Sequence, residues 1–265
     1  MPDLIRLPDG RRLQIWHCGP TDGPAVLFLP GCPDSRLVAH GAATAGVRLI
    51  AVNRPGYGVS TAAASGHLSV ADDVAAVADT LALPRYAVLG MSLGGPYALA
   101  CAARHPSRVT AVGLVAAPAP PGPDSPTRRT AAELDAMPAD FAGFVASMNP
   151  DDPDDAAVAA RWSALEPALA GIPVDVLAAS AREALSRPDG YLRDAEATFH
   201  PWQFDPAAVT CPVHLWYGAH DTNAVPANGH WYAAHLDNAQ LTIDPATAHL
   251  DTLLTRWPEI LTALT

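Results

Sequence analysis

The stretch that decides the fold is Val88-Leu89-Gly90-Met91-Ser92-Leu93-Gly94-Gly95. It continues a short apolar run that begins at Tyr86, and it leads into a segment that predicts a helix from about Leu93 to Arg104. A Ser between two glycines, where a strand passes into a helix, is the pattern of a nucleophile elbow. Side chains at Gly90 and Gly94 would collide with the neighbouring strand and helix. An ordinary Gly/Ser-rich turn is the alternative, and the flanking strand and helix favour the elbow.

The chain has 265 residues and is acidic, with 27 Asp and Glu against 16 basic residues, which are all Arg. The length suffices for one large domain, or for a core with one insertion. A net charge of −11 without basic clusters argues against a nucleic acid or an anionic membrane as partner. We expect neither of these as a partner; the expected partner is a small-molecule substrate, and the sequence leaves the oligomeric state open.

The four cysteines lack the spacing of metal ligands and predict buried free thiols of a reducing compartment. These cysteines are Cys18, Cys32, Cys101 and Cys211. No signal peptide and no apolar run of membrane-spanning length is visible in the sequence. The expectation is a cytoplasmic protein.

Apolar strand patterns alternate with helical patterns through the first half of the chain. The predicted strands are Ala25–Leu29, Val47–Val52, Tyr86–Leu89 and Val109–Val115, after an N-terminal hairpin around Asp9-Gly10. A helix from about Arg36 to Ala45 is predicted after the first of these strands. A second helix, from a cap at Ser69 to about Leu81, is predicted after the strand Val47–Val52. Such alternation indicates a parallel sheet with helices on both faces.

A proline-rich stretch, residues 117–126, interrupts this alternation and predicts a linker. Up to about residue 196 only helical segments are indicated: Thr127–Ala136, Phe141–Met148, Ala156–Ala170, Val174–Arg187 and Leu192–Ala197. Strands resume at Val213–Tyr217 and Ala239–Ile243, and a closing helix is expected from about Leu250 to Leu264. The predicted division is a core of residues 1–117 and 201–265 with a helical insertion of residues 118–200.

Asp221 and His249 are the partners expected for Ser92. A Ser hydroxyl needs a base, and the base needs an orienting carboxylate. In a doubly wound sheet such groups lie at the carboxyl ends of strands. Asp221 follows the strand that ends at Tyr217, and His249 lies in the loop after the last strand. A turn-forming Asp and a His at a helix start are the alternatives, and the order Ser, acid, His favours a triad.

An oxyanion hole requires two backbone N–H groups directed at the developing charge. The N–H of Leu93, directly after Ser92, is one candidate. The other comes from the loop after Leu29, where Pro30 and Pro33 have no N–H. Gly31, Cys32 and Asp34 are the remaining donors nearby, and Cys32 is the preferred one.

On these residues the chain resembles the α/β-hydrolase fold superfamily, and more narrowly the bacterial members related to proline iminopeptidases and small esterases. The matching motifs are Gly31-Cys32-Pro33, Asn53-Arg54-Pro55-Gly56-Tyr57-Gly58-Val59-Ser60, residues 90–95, Gly218 with Asp221 and Val225-Pro226, and His249-Leu250. The resemblance implies an α/β-hydrolase fold with an eight-stranded, mostly parallel sheet flanked by helices and a helical cap inserted after strand six. It also implies that the protein uses no cofactor and no metal.

Two departures lie in the loop of the expected oxyanion hole. The family usually has His-Gly where this chain has Pro30-Gly31, which affects the geometry of the loop rather than the nucleophile. Asp34 stands where relatives often carry Gly. Its carboxylate could repel an oxyanion, recognise a polar substrate group, or simply cap a helix.

The leading hypothesis is a serine hydrolase that cleaves a small ester, lactone or amide through an acyl-enzyme. A non-hydrolytic biosynthetic enzyme on the same scaffold, and a ligand-binding protein with an idle triad, are the alternatives. The candidate pocket residues are Asp34, Met91, Phe141, Phe144, Met148, Trp162 and Trp202. At helical spacing, the aromatic residues and Met148 are also typical of core between cap and sheet.

Overall fold

The structure, a computed structural model, describes residues 4–265. Within this range the strands are β1 (Leu4–Arg6), β2 (Arg12–Cys18), β3 (Ala25–Leu29), β4 (Arg48–Val52), β5 (Tyr86–Met91), β6 (Val109–Val115), β7 (Val213–Gly218) and β8 (Ala239–Asp244). The α-helices are α1 (His67–Thr80), α2 (Gly94–Arg104), α3 (Ala131–Met148), α4 (Asp155–Leu165), α5 (Val174–Leu185), α6 (Pro188–Phe199), α7 (Ala227–His235), α8 (Asp251–Leu254) and α9 (Trp257–Ala263).

The strands form one sheet in the order β1-β2-β4-β3-β5-β6-β7-β8. β2 pairs antiparallel with β1 and with β4, and the pairs from β4 through β8 are all parallel. The prediction of an α/β fold with an eight-stranded, mostly parallel sheet is confirmed.

Two apolar layers cover the two faces of the sheet. Leu27 and Leu29 of β3 pack toward α1, α2 and α7, whereas Val26 and Phe28 pack toward α8 and α9. Successive side chains of a strand point to opposite faces, so a run of five apolar residues fits a strand that is buried on both sides. The continuous apolar pattern of β3 therefore follows from its central place in the sheet.

The sheet order reverses between β3 and β5. The chain passes from β3 outward to β4 and then returns to the other side of β3, where Leu29 pairs with Gly90. The connections that leave the carboxyl ends of β3 and β5 consequently diverge and open a crevice between them, which is where ligands bind in sheets of this kind. Ser92 and the Pro30–Asp34 loop both lie at this edge.

The helices α3 to α6 lie between β6 and β7 in the chain, as the break at residues 117–126 predicted. Their number differs from the expectation. Residues 131–148 form one helix that continues through Pro138, although two helices were expected there. Its start carries a capping box, in which Thr130 Oγ1 accepts from the Glu133 N–H at 3.2 Å and Glu133 Oε2 accepts from the Thr130 N–H at 2.7 Å.

Other helix boundaries also differ from the expectation. The helix expected at residues 36–45 is a 3-10 turn, Arg36–Ala39, which is soon followed by Gly41 at φ +77°. α1 begins at His67, and Ser69 Oγ accepts from the Gly66 N–H at 2.9 Å instead of forming the cap itself.

The closing helix is divided into α8 and α9. Pro258 lies in the first turn of α9, where a missing N–H costs no helical hydrogen bond. Proline inside a helix removes a hydrogen bond and crowds the preceding turn, so Pro258 favours the start of a new helix at this point.

The four cysteines are free. Cys101 is buried, as expected, whereas Cys18, Cys32 and Cys211 are only partly buried. Within residues 4–265 no helix combines the length and the apolar character that crossing a membrane requires.

Candidate active site

Ser92 lies at the turn between β5 and α2 with a backbone φ of +50°, in the left-handed region that side chains rarely adopt. Its N–H donates to the Val115 carbonyl at 2.9 Å, and its carbonyl accepts from the Gly95 N–H at 2.9 Å. A Cβ on Gly90 would come within 2.5 Å of the Gly94 carbonyl oxygen, and a Cβ on Gly94 within 2.1 Å of the Leu29 carbonyl oxygen. The flanking glycines therefore allow the strand and helix to approach closely around a strained Ser.

Asp221 and His249 are in direct contact. His249 Nδ1 lies 2.7 Å from Asp221 Oδ2, and a carboxylate only accepts hydrogen bonds, so Nδ1 carries the proton. The other carboxylate oxygen of Asp221 accepts from the N–H groups of Asn223 and Ala224 at 2.8 and 2.9 Å. The Asp221 side chain is fully buried. The turn and the contact with His249 thus use different oxygens of the same carboxylate. Because the proton of the neutral imidazole lies on Nδ1, Nε2 of His249 can accept a hydrogen bond.

Gly218, the last residue of β7, lets the two loops that carry this pair meet. A Cβ there would lie 2.2 Å from the Ala248 carbonyl oxygen and 2.3 Å from that of Thr247. The His220 N–H also donates to the Thr247 carbonyl at 3.1 Å. The loop after β8 is consequently held against the loop after β7, with His249 opposite Asp221.

Ser92 and His249 line one cavity of about 180 Å³ at the crevice between β3 and β5. Within residues 4–265 the Ser92 hydroxyl forms no hydrogen bond with another group of the protein. Catalytic hydrogen bonds are often long in unliganded enzymes and close when substrate binds. The cavity is lined by Gly31, Cys32, Pro33, Asp34, Met91, Ser92, Phe144, Trp162, Leu165, Glu166, Leu169, Asn223, His249 and Leu250.

Two backbone N–H groups next to Ser92 have no acceptor among the described residues, namely those of Cys32 and Leu93. The N–H of Leu93 lies at the start of α2, where the first N–H groups of a helix lack intrahelical partners. Both residues adjoin the cavity, through the loop after β3 and the turn after β5. Both N–H groups can therefore donate hydrogen bonds to an oxygen of a bound ligand that becomes negatively charged.

Two carboxyl groups share the cavity with His249. Burial raises the pKa of Asp34 to about 7, and the Ser35 N–H, Arg54 and His249 only partly oppose this effect. Burial also raises the pKa of Glu166, against an opposing effect of His249. Asp34 Oδ1 accepts from the Ser35 N–H at 2.7 Å. The cap of the following 3-10 turn is Ser35, so Asp34 does not have the capping role that the sequence left open.

Four of the expected pocket residues line the cavity: Asp34, Met91, Phe144 and Trp162. Three others lie elsewhere. Phe141 is buried and stacks on Tyr191 with ring centroids 4.4 Å apart, and Met148 is buried in the core between the helical segment and the sheet. Trp202 stacks on Phe204 and donates from Nε1 to the Thr198 carbonyl at 3.0 Å.

The cavity also contains residues that were not expected there. Asn223 and Leu250 lie next to the Asp221 turn and to His249, so their places in the sequence were a usable signal. Leu165 is the last residue of α4, Glu166 follows it, and Leu169 lies within the 3-10 turn Pro167–Gly171. Nothing in the sequence shows how this part of the helical segment lies over the sheet. Within residues 4–265 no three His, Cys, Asp or Glu side chains are arranged to hold a metal ion.

Comparison with known proteins places the chain in a family. Residues 24–254 match the family model described as the alpha/beta hydrolase fold. The chain belongs to this family. A protein of Variovorax paradoxus, whose name describes it as a carbamate hydrolase, RutD, is 38% identical over 104 residues. That match spans 37% of this chain and 39% of the relative.

Solved structures resemble the whole chain. An esterase of Exiguobacterium antarcticum has a TM-score of 0.75 at 20% identity, with 100% of this chain and 98% of the esterase covered. The enol-lactonase of Burkholderia xenovorans has a TM-score of 0.69 at 20% identity, with 98% and 97% covered. At this identity the likeness supports the fold.

Proposed function

We propose that this member of the α/β-hydrolase family is a serine hydrolase that cleaves a small ester, lactone or amide through an acyl-enzyme on Ser92. The observation that carries the proposal is the 2.7 Å contact of Asp221 with His249 beside a cavity that also holds the strained Ser92. A Ser, a base and a buried carboxylate in this arrangement are the parts that acyl transfer requires.

In the proposed reaction His249 Nε2 takes the proton of the Ser92 hydroxyl as its oxygen attacks the substrate carbonyl. Asp221 accepts from Nδ1 and stabilises the imidazolium that forms. The Cys32 and Leu93 N–H groups hold the oxyanion, and His249 then returns the proton to the leaving group. Water repeats these steps on the acyl-enzyme and regenerates the hydroxyl of Ser92.

The lining of the cavity supports a small and moderately apolar substrate. A volume of about 180 Å³ is below the range of about 300–1,000 Å³ that is usual for drug-sized ligands. We propose that α3 to α6 act as a cap, because Phe144, Trp162 and Leu165 face the cavity from this segment. Asp34 and Glu166 are the carboxyl groups of the lining, and it contains no Arg. We therefore expect substrates with a free carboxylate to be disfavoured.

The test is a panel of short- and long-chain esters, lactones, amides and carbamates, with p-nitrophenyl acetate as the reference substrate. Methyl butanoate and monomethyl succinate release the same leaving group, methanol, but methyl butanoate is neutral and monomethyl succinate carries a free carboxylate. We expect turnover of p-nitrophenyl acetate by the wild type, and loss of that turnover in a folded Ser92→Ala variant. Retained turnover in Ser92→Ala would show that Ser92 is not the nucleophile.

One observation favours a second candidate, a non-hydrolytic enzyme that performs an elimination or a C–C cleavage in the same cavity. Asp34 has a pKa of about 7 beside His249, and such a group can move a proton near neutral pH. An enzyme of this kind would turn over no member of the panel. Its activity would depend on Asp34 and would survive in Ser92→Ala.

A further inference from the structure

Arg54, the second residue after β4, is buried beside the loop of the expected oxyanion hole, with 3% of its surface exposed. Its guanidinium donates from Nη1 to the Pro30 carbonyl at 2.5 Å and from Nη2 to the Gly31 carbonyl at 3.0 Å. On its other side it meets Asp194 of α6, with Nε 3.1 Å from Oδ1 and Nη2 in contact with Oδ2. One side chain therefore joins two consecutive carbonyls of the loop to a carboxylate of the helical segment.

The contact with Gly31 fixes the direction of a neighbouring N–H. The Gly31 carbonyl and the Cys32 N–H belong to one peptide group, which is planar and trans, so the two bonds point in opposite directions. Because the carbonyl points at Arg54, the Cys32 N–H points away from Arg54. The Cys32 N–H has no acceptor among the described residues, and Cys32 lines the cavity with Ser92.

Asp194 holds the guanidinium in this position. Burial by itself would lower the pKa of Arg54, but the charge and hydrogen bonds of Asp194 together with the nearby Tyr57 and Tyr97 outweigh burial, so the pKa is raised and Arg54 stays cationic. Asp194 also accepts from the Tyr57 hydroxyl at 2.7 Å. α6 packs closely here, because a Cβ on Gly190 would come within 2.6 Å of the Tyr57 ring. This buried ion pair thus joins the helical segment to the loop.

We propose that Arg54 is a positioning residue of the oxyanion hole, which orients the Cys32 N–H toward the oxyanion through the Gly31 carbonyl, with Asp194 of the helical segment as its counter-ion. This inference rests on the proposed function.

The test compares Arg54→Lys with Tyr57→Phe. Lysine keeps the positive charge opposite Asp194, but it lacks the planar guanidinium group that donates to both carbonyls. Tyr57→Phe is the matched control, since it removes a hydroxyl from the same buried cluster and leaves both carbonyl contacts in place. For each variant the measurements are Tm, kcat and KM for p-nitrophenyl acetate, and the affinity for a trifluoromethyl ketone, which forms an oxyanion on the nucleophile.

For Arg54→Lys we expect kcat to fall about 10- to 100-fold with KM nearly unchanged, because removal of a whole oxyanion donor costs about 10²- to 10³-fold. The affinity for the trifluoromethyl ketone should fall by the same factor. Tyr57→Phe should lower Tm and keep kcat within about twofold of the wild type. If Arg54→Lys does not fold, the double variant Arg54→Gln/Asp194→Asn leaves no unpaired buried charge and should give the same loss of kcat.

The inference is overturned if the Arg54 variant loses no more kcat than Tyr57→Phe, or if kcat falls while the affinity for the ketone stays unchanged. Both results require an active wild type and leave the proposed function standing. A wild-type protein that hydrolyses no ester and binds no ketone would overturn the proposed function, and this inference with it.

Discussion

Gly94→Ala tests the geometry of the turn around Ser92. A Cβ at this position lies 2.1 Å from the Leu29 carbonyl oxygen and 2.5 Å from the Pro30 carbonyl oxygen. Ordinary van der Waals contact begins at about 3.4 Å, so the start of α2 and the end of β3 must separate by about 1.3 Å. Both contacts are with backbone, which no side-chain rotation can relieve.

This separation should cost stability and activity together. Overpacking of a tight interior contact typically costs about 1–3 kcal/mol. In a chain of this size that corresponds to a fall in Tm of about 2–4 °C for each kcal/mol. The shift also moves Ser92 and Leu93 relative to the Pro30–Asp34 loop, and a misplacement of about 1 Å can cost about a hundredfold in rate.

The assay is thermal unfolding together with kcat for p-nitrophenyl acetate. Gly143→Ala is the matched control, because it is also a Gly→Ala change inside a helix and its Cβ would meet nothing within 4 Å. Gly143→Ala should gain about 0.5–1 kcal/mol, since Ala favours the helix, and should keep its activity. A Gly94→Ala protein with the Tm and kcat of the wild type would refute the reasoning.

Two further predictions concern the carboxylates. Asp221→Asn should lower kcat by about 10⁴-fold with little change in KM, because the Asn amide would face His249 Nδ1 and move the imidazole proton to Nε2; retention of a tenth of the activity would contradict this. Burial raises the pKa of Asp34 from 3.8 to about 7, so between these pH values the folded protein holds a proton on Asp34 and the unfolded chain does not. The stability contributed by this protonation is present below about pH 4 and is lost as the pH rises to about 7. Asp34→Asn should remove this loss of stability when Tm is measured between about pH 4 and pH 7. The prediction is contradicted if Tm depends on pH in the same way in the wild type and in the variant.

The sheet and the strand ends could be predicted from the sequence because their patterns are local. The predicted bounds of β3 and β6 agree with the structure; β3 is a continuous apolar run, and β6 is apolar except at Thr110. Asp221 and His249 were predicted as partners of Ser92 from one rule, that functional groups follow the carboxyl ends of parallel strands, and the structure brings these two side chains into contact. The contact between them depends on Gly218, whose role is visible only once two loops 30 residues apart in the chain are brought together.

The helical segment could not be predicted to the same depth. It is rich in Ala, so the faces of its helices differ little in hydrophobicity. Its packing on the sheet depends on tertiary contacts. Phe141 and Phe144 are three residues apart on one helix, yet only Phe144 faces the cavity. The role of Arg54 was likewise not apparent, because its partners Pro30 and Asp194 lie 24 and 140 residues away.

The most direct test of the proposed activity is covalent labelling with a fluorophosphonate, followed by intact mass measurement and peptide mapping. A Ser hydroxyl activated by His249 should take up one probe molecule on Ser92, and Ser92→Ala should take up none. An unlabelled wild-type protein, or a label on any other residue, would contradict the acyl-enzyme mechanism on Ser92.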